Sequence, residues 1–285
     1  DVASRLRQLQ ARFVVVGRLA DAREPERQRA AGTGRVNIYA ESNGILAVDR
    51  ARLIALNMLD EGVTAATLAP DARVSAGAMV ATVKIIPFAV PRETVDRAEA
   101  LLRDGGPLVT VAPFTPHRIG LVLTRVAGTK ASVLTKRRRV IEDRVRSAGS
   151  EIAAVIDAAH ETAAIEAAIR DLKSQDCDPI LVFGASAIVD RGDVIPAAVV
   201  AAGGEVVHLG MPVDPGNLLM LGKLGQADVI GVPSCAASPK LNGFDWVLQR
   251  VAAGLPIDRR DIMRMGAGGL LSEIPSRPLP RQSAA

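Results

Sequence analysis

The sequence predicts an α/β fold: a doubly wound, mostly parallel sheet preceded by a smaller mixed α+β, β-rich domain. Three observations predict it. From Arg118 onward, short apolar runs alternate with stretches of helical periodicity, and the run 119–123 is of the kind buried on both faces of a parallel sheet. Before that point, two β-rich runs, 64–68 and 79–86, are separated by the turn residues Pro70 and Gly77. The chain has 285 residues, 48% hydrophobic and 23% charged, enough for one large or two ordinary domains with a sizeable core.

In chain order, 13–16 reads as a short strand and 21–31 as a charged, helix-prone stretch. The run 44–48 is apolar, and 50–59 carries Leu53, Leu56 and Leu59 at helical spacing. A helix over 91–102 places Val95, Ala98 and Leu102 on one face, and Gly105, Gly106 and Pro107 end it. The pattern changes near Pro113 to His117, which predicts domains at 1–113 and 114–255. An irregular tail or linker, 256–285, closes with Pro275, Pro278 and Pro280.

Within the second domain, strands are expected at 119–123, 152–156, 180–183, 206–209 and 229–232. Between them, 136–148 buries Ile141, Val145 and Ala148, while Ile165, Ala168, Ile169 and Leu172 mark the next helix. A third helix covers 193–202, and the last carries Phe244, Val247, Leu248 and Val251. Ligands of such sheets bind at the carboxyl ends of the strands, so the loops leaving those ends are the places to search.

Composition excludes several classes. No apolar run approaches 18 residues, so no membrane-spanning helix is expected. No basic n-region precedes an apolar h-region, so no secretory signal is read. Cys177 and Cys235 form no C-x-x-C pair, which argues against a zinc ribbon or a disulfide scaffold, and the expected compartment is cytoplasmic. The net charge is only +4 and the isoelectric point about 9.4. Only six of the 35 basic residues are lysines, and arginine's planar fork suits phosphate, although a GC-rich genome gives the same bias. Aromatics at 2% leave no stacking platform for a polynucleotide. A small phosphorylated ligand fits this composition better than nucleic acid.

Three loops at strand ends are rich in small residues. The first reads Gly184-Ala-Ser-Ala-Ile-Val-Asp190-Arg-Gly-Asp193-Val-Ile-Pro196, the second Met211-Pro-Val-Asp214-Pro-Gly216-Asn217, the third Val232-Pro-Ser234-Cys-Ala-Ala-Ser238-Pro-Lys240. Small side chains let backbone amides approach an anion, and the following helix adds the positive end of its dipole. Asp193 reads equally as the cap of that helix or as a ligand contact.

The stretch from Gly184 to Ala198 resembles the G-G-T-G…D-V-x-P motif of the molybdopterin-binding domain, found in molybdopterin adenylyltransferase and molybdopterin molybdotransferase. Gly184 and Ala185 fall on the two glycines, Ser186 on the threonine, Asp193 on the aspartate and Pro196 on the proline. Pro215-Gly216-Asn217-Leu-Leu-Met-Leu-Gly-Lys-Leu224 is similar to the molybdotransferase's P-G-K-P-L-L-F-G-R-L, and Gly231-Val-Pro-Ser234-Cys235 to its G-L-P-G-N. Four further stretches resemble the molybdopterin-binding module N-terminal to a molybdenum cofactor cytidylyltransferase-like domain: Gly34–Asn37, Met79–Phe88, Ser238–Trp246 and Gly268–Arg277. That resemblance covers most of the chain, which starts at Asp1 and ends proline-rich, as a trimmed fragment of a longer protein would.

The resemblance implies molybdopterin or molybdenum cofactor as the ligand. It implies a site built from Gly184, Ala185, Ser186, Asp190, Asp193, Asp214, Pro215, Gly216, Asn217, Ser234 and Cys235; from their charge, Lys130, Arg137 and Arg138, beside Lys136 and Arg139, read as a grip on the terminal phosphate. Cations at a helix start oppose the dipole, which favours a bound anion there over a merely solvated helix start. The departures are as informative. Where those enzymes carry a G-D-E-type acidic motif, this chain reads Thr124-Arg-Val-Ala-Gly128-Thr-Lys130, and their D-x-N becomes Thr135-Lys136-Arg137. Acidic groups are replaced by cations, which argues against Mg2+ and against adenylation or metal insertion. No metal site is expected.

Two functional classes follow. One is a module that binds the phosphorylated pterin for a fused or partner cytidylyltransferase domain, or for a molybdoenzyme chaperone. The other is an enzyme that inserts molybdate or nucleotidylates molybdopterin, and the missing acidic motif favours the first. A third reading is an oligomerisation scaffold. A homo-oligomer, a dimer, is expected, with the β-rich 64–86 region as one means of pairing. His160 with Glu161, His208, and the glycine cluster at Gly266, Gly268 and Gly269 read as structural, and Cys235 reads as small-residue packing more than as a contact to dithiolene or metal.

Overall fold

A computed structural model describes residues 35–87, 90–103 and 105–271. The strand expected at 13–16, the helix-prone 21–31 and the proline-rich end fall outside them. The chain divides into two compact units, Asp1–Phe114 and Thr115–Ala285.

In the first unit the strands are β1 (Arg35–Tyr39), β2 (Gly44–Val48), β3 (Val63–Thr67), β4 (Arg73–Val74), β5 (Met79–Ile85) and β6 (Val109–Pro113). They form two three-stranded antiparallel sheets, ordered β1-β5-β3 and β4-β2-β6. Helix α1 (Arg50–Asn57) starts at Asp49, whose carboxylate accepts from the Arg52 amide. Helix α2 (Arg92–Arg103) buries Val95, Ala98 and Leu102, the face its spacing predicts. These side chains close on Leu46, Leu56, Val83, Val109 and Val111 as one core. Strands β1, β4 and β6 are additions to the reading from sequence. Each pairs with a neighbour far along the chain, and such pairing leaves no local periodicity to read.

The second unit holds β7 (Arg118–Arg125), α3 (Ala131–Ser147), β8 (Glu151–Ala159), α4 (Thr162–Ser174), β9 (Ile180–Phe183) and α5 (Val194–Ala201). These are followed by β10 (Glu205–Leu209), β11 (Met220–Leu224), β12 (Ala227–Val232), α6 (Gly243–Ala252) and α7 (Arg259–Arg264). The sheet runs β10-β11-β12-β9-β7-β8. Pairs β12/β9, β9/β7 and β7/β8 are parallel, and only β11 runs against the rest. The sheet is therefore mostly parallel, and the fold class is the one expected.

Helices cover both faces. Ile165, Ile169 and Leu172 of α4 and Ile195 and Val199 of α5 pack with Val122 of β7 and Val182 of β9. Strand alternation turns Leu121, Leu123 and Phe183 the other way, toward α3, whose Arg137 guanidinium lies over the Phe183 ring. The chain leaves β7 through α3 to reach β8 on one side, then returns through α4 to place β9 on the other. This reversal puts a topological switch point between β7 and β9.

Strand β11 is a further addition to the reading from sequence: Met-Leu-Gly-Lys-Leu pairs with both β10 and β12, and Gly225 at φ +61° turns it directly into β12. Two expectations are corrected. The 256–285 segment is not wholly irregular, since α7 forms there. Asp258 accepts from the Arg260 and Asp261 amides and Asp261 answers at the Asp258 amide, a capping box that starts a helix too short to show a periodic apolar face. Finally, α3 begins at Ala131 rather than at 136, so Lys136, Arg137, Arg138 and Arg139 stand inside the helix, where the dipole penalty that favoured a bound anion is weaker.

Candidate functional site

Five strands end at one edge of the sheet: β7, β8, β9, β10 and β12. Helices α3, α4 and α5 start there from Lys130, Glu161 and Asp193, and none of these residues caps its own helix through its side chain. Their first amides are thus left to other acceptors.

At the switch point, Thr124 near the end of β7 is fully buried, and its hydroxyl oxygen accepts from the Ala185 amide at 2.6 Å. The same oxygen lies 2.9 Å from His160 Nδ1, directly after β8, and His160 Nε2 lies 2.9 Å from Ser186 Oγ. Ser186 is exposed, while His160 is half-buried. Three strand ends are thereby joined by one chain of hydrogen bonds from a buried hydroxyl to a solvent-facing one. Arg137 reaches the same loop from α3, donating from Nη1 to the Gly184 carbonyl at 3.2 Å.

Gly184 is confined by backbone. A Cβ there would sit 2.6 Å from the Ser186 carbonyl oxygen and 2.9 Å from Ile195 Cδ1. The tightness of the turn by itself requires glycine here. Gly184→Ala is expected to destabilise the unit by about 1–3 kcal/mol, as overpacking does. A urea unfolding midpoint equal to that of the parent would contradict this.

Asp193 neither caps α5 nor stands as a free acceptor. Its Oδ2 accepts from the Val189 amide at 2.7 Å and the Asp190 amide at 3.0 Å, which ties the loop back on itself. Asp190 in turn accepts from the Gly192 amide at 2.6 Å. Both carboxylates therefore shape the loop.

The other two loops both meet the start of α6. Gly216, at φ +142°, leaves no room for a Cβ, which would stand 2.7 Å from the Gly243 amide nitrogen. Gly243 N–H donates to the Pro215 carbonyl at 2.8 Å. Asn242, fully buried, accepts from the Phe244 amide and donates to Cys235 Sγ at 3.2 Å. Asp214 bridges to Leu270, while Asn217 and Ser234 are exposed. Arg144 of α3 joins α6 by a buried ion pair with Asp245, and it also donates to the Ser238 and Lys240 carbonyls of the loop after β12.

Of the three cations expected on a phosphate, Arg137 is at the switch-point loop. Arg138, one residue round the helix, pairs with Glu142 at 2.7 Å on the exposed side, and Lys130 is exposed at the start of α3. Neither Thr124 nor His160 is among the site residues that the sequence suggests. The available signal was their position, a hydroxyl and an imidazole at the carboxyl ends of adjacent parallel strands. Among the described residues no group of three or more His, Cys, Asp or Glu side chains is arranged to hold a metal ion, and no helix is long and apolar enough to cross a membrane.

Burial lowers the pKa of His160 below 6.5, with Asp193 partly opposing, and burial with the Arg259 and Arg191 cations lowers that of His208. The unfolded chain then binds these protons more readily than the folded one. The contribution is intact above the unfolded value near 6.5 and is lost as pH falls below it toward the folded values. Unfolding midpoints are expected to fall between pH 7.5 and 5, with a shallower slope in a His160→Gln/His208→Gln double variant. A wild-type midpoint independent of pH in that window would exclude the linkage.

No family model and no curated protein matches the chain. Solved structures do. The molybdopterin biosynthesis MoeA protein of Pyrococcus horikosii is 17% identical over 89% of this chain and 80% of its own, with a TM-score of 0.35. The molybdopterin biosynthesis enzyme MoaB of Thermus thermophilus is 16% identical over 49% of this chain and 98% of its own, TM-score 0.33. A putative molybdenum cofactor biosynthesis protein of Corynebacterium diphtheriae is 13% identical over 55% and 99%, TM-score 0.34.

Proposed function

We propose that this chain binds molybdopterin or its molybdenum-loaded form in molybdenum cofactor biosynthesis, as a binding module beside a cytidylyltransferase domain or partner. The observation that carries the reading is the coincidence of motif and geometry. Gly184, Ala185 and Ser186, which resemble the molybdopterin-binding motif, form the loop at the β7/β9 switch point, where ligands of such sheets bind. The donors present there fit an anionic, oxygen-rich ligand: the exposed Ser186 hydroxyl, the Arg137 guanidinium and the first-turn amides of α5. Bound molybdopterin supplies the dithiolene that holds the metal; the protein's part is to bind and orient it.

Against an enzyme stands the loop after β7, Val126-Ala-Gly-Thr-Lys130, which offers no carboxylate for the magnesium of a nucleoside triphosphate. Titration of the chain with molybdopterin, with and without molybdenum, is expected to saturate at one site per chain. Incubation with ATP or CTP and molybdopterin is expected to give no turnover above buffer. Absence of saturable binding would refute the binding reading, and turnover would refute the non-catalytic one.

A further inference from the structure

We propose that Thr124 and His160 are positioning residues that hold Ser186 as a hydrogen-bond donor, so that the switch-point site takes a ligand oxygen that only accepts. The ligand class rests on the binding reading above; the relay itself does not. Thr124 is fully buried, and its oxygen already accepts from the Ala185 amide at 2.6 Å. Among the described residues, the one further partner of that hydroxyl is His160 Nδ1 at 2.9 Å. A buried hydroxyl donates where it can, so its proton goes to Nδ1, which must then be the bare nitrogen of a neutral ring.

The ring proton consequently sits on Nε2 and is given to Ser186 Oγ, 2.9 Å away. Ser186 spends a lone pair on that bond, and its own proton remains for whatever lies at the exposed edge of the loop. The opposite arrangement, with Nδ1–H pointing at Thr124, would strand the threonine proton in the core. It would also turn Ser186 inward, as donor to Nε2, and leave the site reading ligand donors. The chain of three residues therefore decides the polarity of the site. A phosphate oxygen or a ring carbonyl takes that proton, whereas an amino group meets only the remaining lone pair of Oγ and leaves the proton unused.

Long-range 1H–15N correlation spectra of the full chain at pH 8, with His160 assigned by His160→Gln, test the relay without any ligand. The expected signature is a neutral ring carrying its proton on Nε2. Thr124→Val, which keeps the shape and removes the hydroxyl, should mix the two tautomers, and Thr124→Ser should restore the single one. A ring protonated on Nδ1 in the wild type, or an unchanged Nε2–H tautomer in folded Thr124→Val, would overturn the proposal.

Titration with molybdopterin tests the donor. Ser186→Ala is expected to bind about tenfold more weakly or worse, as loss of a charge-assisted or buried hydrogen bond does, and Ser186→Thr is expected to retain most of the affinity. Wild-type affinity in folded Ser186→Ala would overturn the donor role. Competition by inorganic phosphate then separates the two oxygens: competition weakened in Ser186→Ala assigns the contact to phosphate, and unchanged competition assigns it to a pterin carbonyl. If the wild type does not bind molybdopterin, the functional reading fails while the tautomer result still judges the relay.

Discussion

Arg144→Ala is expected to lower the stability of the second unit by about 3–5 kcal/mol, the usual consequence of removing one partner of a buried ion pair. Arg144 is 8% exposed and Asp245 11%, so neither charge has water to fall back on. The loss would extend beyond the pair. Arg144 also holds the Ser238 and Lys240 carbonyls, and Asp245 accepts from the Asn242 amide at the start of α6. Domains of this size are stable by only about 5–15 kcal/mol, so the variant would stand near the limit of folding. Asp245→Asn keeps an acceptor for the cap and should be milder. Urea unfolding of both variants checks the ranking, and a loss below about 1 kcal/mol for Arg144→Ala would mean that the pair behaves as a solvated one.

Arg137→Gln is expected to weaken molybdopterin binding about tenfold or more, in keeping with about 1.5–3 kcal/mol for a charge-assisted bond. The deficit should shrink at high salt, because part of it is screened attraction. Arg137 meets the Gly184 carbonyl and lies 4.9 Å from the centroid of the Phe183 ring, so its charge is delivered to the loop where Ser186 stands. Arg138→Gln should leave affinity nearly unchanged, since Glu142 already engages that guanidinium away from the loop. Equal losses in the two variants, measured by the same titration at low and high salt, would refute the distinction.

The sequence by itself determined the alternation of strands and helices after Arg118 and the loops to search. Patterns such as Ile165, Ala168, Ile169 and Leu172 are local, and burial of one helix face forces them on the chain. It also placed Gly184, Asp193 and Gly216 in the loops of interest. Only the tertiary structure decided why those residues are there. Gly184 is packed against a carbonyl and Asp193 holds two loop amides, so both serve the shape of the loop. The same holds for the strand β11, hidden inside a motif, and for the separation of Arg137 from Arg138, neighbours in sequence on different sides of a helix. Thr124, His160 and Ser186 are 36 and 26 residues apart along the chain. Their hydrogen bonds exist because three parallel strands end at one edge, a proximity that no local periodicity encodes.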